Sequence, residues 1–118
     1  MDKEELKART KRFALRVLDV VDELPRTVKG RVAAQQLVRC GTSVGTNYRA
    51  ALRARSKAEY ISKLQTVLEE SDETHYWLEL CLGAGLLASQ DARDLCAEAD
   101  ELTAIFNSTL FRLRHPGE

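Results

Sequence analysis

The sequence predicts an all-α chain, an antiparallel up-down-up-down four-helix bundle in which residues 1–118 form one domain. Three observations carry this. Apolar residues recur at three- and four-residue spacing through nearly the whole chain. Only two prolines and six glycines interrupt 118 residues dominated by good helix formers. Capping signals cut the pattern into four segments joined by short links, the arrangement that folds most simply as an antiparallel bundle. The composition, 44% hydrophobic and 31% charged, is that of a globular domain. A chain of this length buries a core without disulfides or metal.

The first helix is expected over residues 2–23. Asp2 and Glu5 read as a capping box, and Pro25 stops the segment. Its core stripe is Leu6, Phe13, Val17, Val21 and Leu24, with Ala14 and Leu18 beside it. The second helix, from Thr27 to Arg55, presents Ala33, Leu37, Cys40, Val44, Asn47 and Ala51. Ser56 and Glu59 form the next capping box and open a third helix over residues 57–82. Its stripe is Ile61, Leu64, Leu68, Ser71, His75, Leu78 and Leu82, widened by Val67, Thr74 and Cys81. Gly83 or Gly85 supplies its left-handed cap. Ser89 caps the fourth helix, with Asp91 and Asp94 near the positive end of its dipole. Ala92, Leu95, Ala99, Leu102, Phe106, Thr109 and Leu113 form its seam, and Pro116 closes the chain.

Catalytic signatures are missing from the sequence. It has no phosphate-binding glycine loop, no dinucleotide fingerprint, no nucleophile elbow and no zinc-protease motif. A di-iron bundle needs two Glu-x-x-His motifs, and this chain offers Asp72-x-x-His75 once. Cys40, Cys81 and Cys96 lack metal-ligand spacing and read as buried free thiols of a reducing compartment. No enzyme activity, cofactor or metal site is expected. The charged N-terminus does not read as a secretory signal, and no apolar run reaches the ~20 residues that span a bilayer. A cytoplasmic protein without membrane contact is therefore expected.

The stretch "RCGTSVGTNYRAALRARS", Arg39–Ser56, interrupts this regular pattern. Gly41 and Gly45 lie one turn apart on one face, and each costs a helix interior about 0.8–1 kcal/mol relative to alanine. With Thr42 and Ser43 they admit the close approach of another helix. That helix belongs either to the same bundle or to a neighbouring subunit. Asn47 continues the apolar stripe, and a buried amide needs partners. An antiparallel turn about residues 54–57 sets Asn47 opposite Gln65 and Arg39 opposite Glu73.

The same residues carry a family resemblance. "SVGTNYRAALRARS" followed by "EYISKLQTVLEESDETHYWLEL" resembles the four-helix bundle proteins encoded in intervening sequences of bacterial 23S rRNA genes. Ser43, Val44, Asn47 and Ser56 match the order at that family's second corner. Arg53 and Arg55 flank a position where many members carry arginine. "ELPRTVKGRVAAQQLVRCGTSV" extends the resemblance over most of the chain. Many members have proline where this chain has Gly45, and Glu-Gly where it has Ala50-Ala51, so a role for that glutamate does not carry over. The resemblance implies a homopentamer around a central opening, a nucleic-acid role, and kinship with an accessory protein of a retroelement reverse transcriptase.

The charge distribution bears on partners. Residues 1–63 hold 15 Lys and Arg against 7 Asp and Glu, whereas residues 64–118 hold 3 against 11, so the zero net charge hides halves of +8 and −8. Arg49, Arg53, Arg55, Lys57 and Lys63 surround the second corner, and arginine suits bidentate phosphate contacts. Tyr48 and Tyr60 lie near enough to stack on bases. The acids of "EESDE" neutralise part of the second helix but lie far from the corner. Two functions follow. In one, an oligomer binds RNA or DNA through the corner. In the other, an oligomeric scaffold binds only protein, the basic corner closing on an acidic surface of the next subunit. Apolar residues off the main stripes, Val38, Leu52, Trp77 and Leu80, supply an interface in either case.

Overall fold

The computed structural model describes residues 1–117. Four helices occupy them: α1 (Lys3–Val21), α2 (Val28–Leu52), α3 (Lys57–Gly83) and α4 (Gln90–Arg114). Every N-terminus is capped by a side chain. Asp2, Thr27, Ser56 and Ser89 accept from the backbone N–H of Glu5, Gly30, Glu59 and Ala92, each satisfying a donor the helix cannot. Gly85, not Gly83, takes the left-handed conformation after α3, with φ 74°. There the Leu86 N–H reaches the Cys81 carbonyl at 2.8 Å and the Gly85 N–H reaches that of Leu82 at 3.2 Å. This double closure ends the helix and turns the chain into α4.

Neighbouring pairs α1/α2, α2/α3, α3/α4 and α4/α1 pack backbone against backbone, while the diagonal helices α2 and α4 meet through core side chains such as Tyr48 and Phe106, which is the square of an up-down-up-down bundle. The molecule measures 48 × 25 × 22 Å, and its length is close to the ~40 Å of a 27-residue helix. Leu37, Val44, Leu64, Val67, Leu78, Leu95, Leu102 and Phe106 are fully buried at the centre. The few buried hydroxyls are satisfied. Ser71 pairs with Thr103 at 2.6 Å, Thr74 donates to the Glu70 carbonyl, and Thr10 donates to that of Lys7.

The core seams differ from the expected stripes by single positions. In α1 the buried series is Leu6, Thr10, Phe13, Val17, Val20 and, beyond the helix, Leu24; Val21 is half-buried and Leu18 exposed. In α2 Tyr48 is buried, while Asn47 is only half-buried. In α3 the seam is Leu64, Val67, Ser71, Thr74, Leu78 and Cys81; Ile61, Leu68, His75 and Leu82 flank it. In α4 Leu110 replaces Thr109 and Leu113 at the end of the seam. Cys40 and Cys81 are buried and Cys96 half-buried, all as free thiols, and burial raises the pKa of each.

Candidate nucleic-acid interface

Gly41 and Gly45 of α2 face α1. A β-carbon at Gly41 would meet the Val17 methyls at 2.7 and 2.9 Å, and one at Gly45 would lie 3.4 Å from the Thr10 carbonyl oxygen. The close crossing is therefore made within one chain. The neighbouring polar residues bond to their own helix. Thr42 donates to the Val38 carbonyl, Ser43 to that of Arg39, Thr46 to that of Thr42, and the Asn47 amide to that of Ser43 at 2.9 Å. Asn47 does not pair with Gln65, whose amide donates instead to Glu69. A helix interior offers asparagine a carbonyl one turn back, and that local bond replaces the expected bond across helices.

The α2–α3 corner is built from two caps. Arg53 is the C-cap of α2, and Ser56 is the N-cap of α3. Glu59 turns its carboxylate back to accept the Arg55 N–H at 3.2 Å. That fixes the corner backbone while Arg49, Arg53, Arg55 and Lys57 stay exposed. Lys3 brings the start of α1 to the same end, its ammonium 4.9 Å from the Tyr60 ring centre. Lys63 lies further along α3 and is half-buried.

Among the described residues none of Arg49, Arg53, Arg55, Lys57 or Lys63 forms an ion pair. Two acids of α3, Glu70 and Glu73, are engaged away from the corner, both pairing with Arg39 at mid-length. Arg9 of α1 holds Glu98 of α4 through two 2.7 Å bonds and reaches Glu101 at 3.2 Å. The bond to Glu98 keeps the Arg9 guanidinium well above its ordinary pKa. Two grooves of opposite charge remain. A groove of about 420 Å³ between α1 and α2 is lined by Lys7, Lys11, Ala14, Thr42, Gly45, Thr46 and Arg49. One of about 440 Å³ between α3 and α4 is lined by Glu69, Asp72 and Asp100 with Gln65, Leu68, Thr103, Ala104 and Asn107. In a square bundle these two grooves lie on opposite faces.

Residues 3–108 match the model of a family described as 23S rRNA-intervening sequence protein. The chain belongs to that family. It is also similar in structure to a Bacteroides thetaiotaomicron protein of unknown function from the S23 ribosomal protein family. The two are 32% identical, the match covers 88% of this chain and 96% of that one, and the TM-score is 0.80. No curated protein matches the chain.

In this member of the intervening-sequence family, Tyr48 is excluded from base stacking. It is 1% exposed and packs on Phe106 with ring centres 5.6 Å apart, so a base cannot reach its face. Tyr60 is half-buried beneath Lys3. Trp77 and Leu52, expected to be left over for an interface, pack against the core. The exposed large apolar residues on α2 and α3 are Val28, Val32, Tyr76 and Leu80. Sequence reasoning missed Lys7 and Lys11 as partners of Arg49, although their one-turn spacing was a visible signal. Among the described residues, no group of three or more His, Cys, Asp and Glu side chains could hold a metal ion, and no helix is long and apolar enough to cross a membrane.

Proposed function

We propose that this protein is a non-enzymatic cytoplasmic oligomer, a homopentamer, that binds the phosphate backbone of RNA or DNA through the α2–α3 corner. The observation that carries this reading is the set of four exposed cations, Arg49, Arg53, Arg55 and Lys57, gathered at one end, whose charged side chains form no ion pair among the described residues. A ring repeats that cluster in every subunit, so a modest patch becomes a circle of positive charge. The intervening-sequence description of the family points towards RNA. Binding is then driven by phosphate contacts and counterion release, with little base specificity. The test is binding of labelled RNA and DNA over a salt series. Arg53→Gln/Arg55→Gln should weaken binding to unrelated sequences alike. It should also flatten the log–log salt slope by about 0.7–0.9 for each phosphate no longer neutralised. Wild-type protein that binds neither nucleic acid at low salt would sink the proposal.

A second reading is favoured by the opposed grooves. A basic α1–α2 face on one copy and an acidic α3–α4 face on the next are complementary, as a protein-only scaffold or an accessory subunit requires. Under it, removing the charges of Lys7, Lys11 and Arg49, or a high-salt buffer, breaks the assembly and nucleic acid has no effect.

A further inference from the structure

The corner cations continue along the molecule. Thr42, Thr46, Arg49 and Arg53 follow one stripe of α2, and Lys3, Lys7 and Lys11 follow one stripe of α1. The crossing at Gly41 and Gly45 brings these stripes together, and between them lies the groove lined by Lys7, Lys11 and Arg49. Among the described residues none of the three cations makes an ion pair or a side-chain hydrogen bond, and no carboxylate lines the groove.

Arg49, in the last turn of α2, suits the negative end of that helix dipole, but Lys7 and Lys11 lie in the body of α1 and gain nothing from a helix end. Like charges one turn apart, as at Lys7 and Lys11 or Arg49 and Arg53, destabilise a helix. Three cations facing one concavity add to that repulsion until an anion neutralises them. We infer that the α1–α2 groove is a phosphate subsite, continuous with the α2–α3 corner, for a chain of phosphates. The inference rests on the nucleic-acid reading above and extends it to a second set of residues.

The lining also sets what kind of recognition is possible. Thr42 and Thr46 donate their hydroxyl hydrogens to α2 carbonyls, so the cations alone supply donors to a phosphate. No aromatic ring lines the groove. The subsite therefore reads charge and not base identity. The acidic groove on the opposite face repels the same ligand, so a polyanion has one face on which to lie.

The experiment uses the full-length protein, with Lys7→Gln/Lys11→Gln compared against Arg53→Gln/Arg55→Gln. Probes are a labelled single-stranded RNA and inorganic tripolyphosphate. Circular dichroism and light scattering check fold and assembly. Removing two cations that each neutralise a phosphate of a single strand should flatten the salt slope by about 1.4. Tripolyphosphate should shift the Thr42 and Thr46 methyl resonances of the wild type and not those of the lysine variant. If the lysine variant keeps the wild-type slope while the arginine variant loses it, the groove proposal is overturned and the corner reading stands. If RNA does not bind but tripolyphosphate shifts the threonine methyls, the corner reading falls and the groove stands as a site for free phosphate chains. No shift and no RNA binding overturns both. A lysine variant that folds but dissociates makes the groove a contact between copies and overturns the proposal.

Discussion

A β-carbon at Gly41 would sit inside the contact radius of both Val17 methyls. Valine is stiff about χ1 and cannot swing clear. Overpacking of this kind costs about 1–3 kcal/mol, more than the gain of up to about 1 kcal/mol from replacing a helix glycine by alanine. Gly41→Ala should therefore destabilise the protein. At Gly45 the nearest atom is at 3.4 Å, an ordinary contact, so Gly45→Ala should be neutral or stabilising by up to about 1 kcal/mol. Urea denaturation of the two variants tests the pair, and equal effects would show that the crossing is not set at Gly41. Tyr48 offers a second test. Burial, with Tyr60, Asp2 and Glu4 nearby, pushes its phenol from 10 up to about 12. The unfolded chain thus loses that proton first, and stability falls as pH rises from 10 through 12. Below pH 10 both states keep the proton and Tyr48 contributes no slope. Tyr48→Phe should lose less stability between pH 10 and 12 than the wild type, measured by denaturation across that range.

At the scale of the helix, α1 and α4 meet along the side of the square closed by Arg9, Glu98 and Glu101. Arg9 and Glu98 are only 14% and 15% exposed at their side chains, so little water is available to replace the pairing. A hydrogen bond to a charged group contributes about 1.5–3 kcal/mol, and Arg9→Gln should cost an amount in that range. A double-mutant cycle with Glu98→Gln should return a coupling well above the ~0.2–1 kcal/mol of an exposed pair; a value inside that lower range would make the pair incidental. The helices themselves were legible because their ends carry caps, Asp2, Thr27, Ser56 and Ser89, whose chemistry is local. The Arg39–Glu73 pair was legible because the short corner fixes the register of α2 on α3. What could not be read were choices between adjacent residues near one seam. With about 3.6 residues per turn, both members of Val20 and Val21, Asn47 and Tyr48, or Thr109 and Leu110 lie close to it. Only the facing helix decides between them, as Phe106 does for Tyr48. The same limit hid the groove. Lys7 and Lys11 meet Arg49 through the α1–α2 crossing, and that distance depends on Val17 and Thr10, which the spacing of α2 does not reveal.

At the scale of the whole molecule, the +8 and −8 halves become opposed faces, with Arg9–Glu98 and Arg39–Glu73 as links between them. In the proposed oligomer, a basic face on one copy can meet the acidic face of the next head to tail, and such contacts close into a ring when the rotation allows. A separate face, that of α2 and α3, carries exposed apolar residues. Arg39 and Glu73 face each other on the outside of α2 and α3. Val32 lies two turns before Arg39, and Leu80 two turns beyond Glu73, so the two fall opposite each other on that outer face. With Val28 at 70% and Tyr76 at 58% exposure beside them, they leave an uncovered apolar patch, and such patches mark interfaces. Light scattering of the wild type should therefore give a mass several times 13.3 kDa, with five copies as the proposed number. Val32→Glu/Leu80→Glu places charge where the patch would close. The double variant should dissociate to 13.3 kDa subunits with unchanged helix content, because exposed substitutions rarely change stability by more than about 0.5 kcal/mol. A variant that keeps the wild-type mass would move the interface off the α2–α3 face, and a monomeric wild type would remove the ring and leave each corner to act alone.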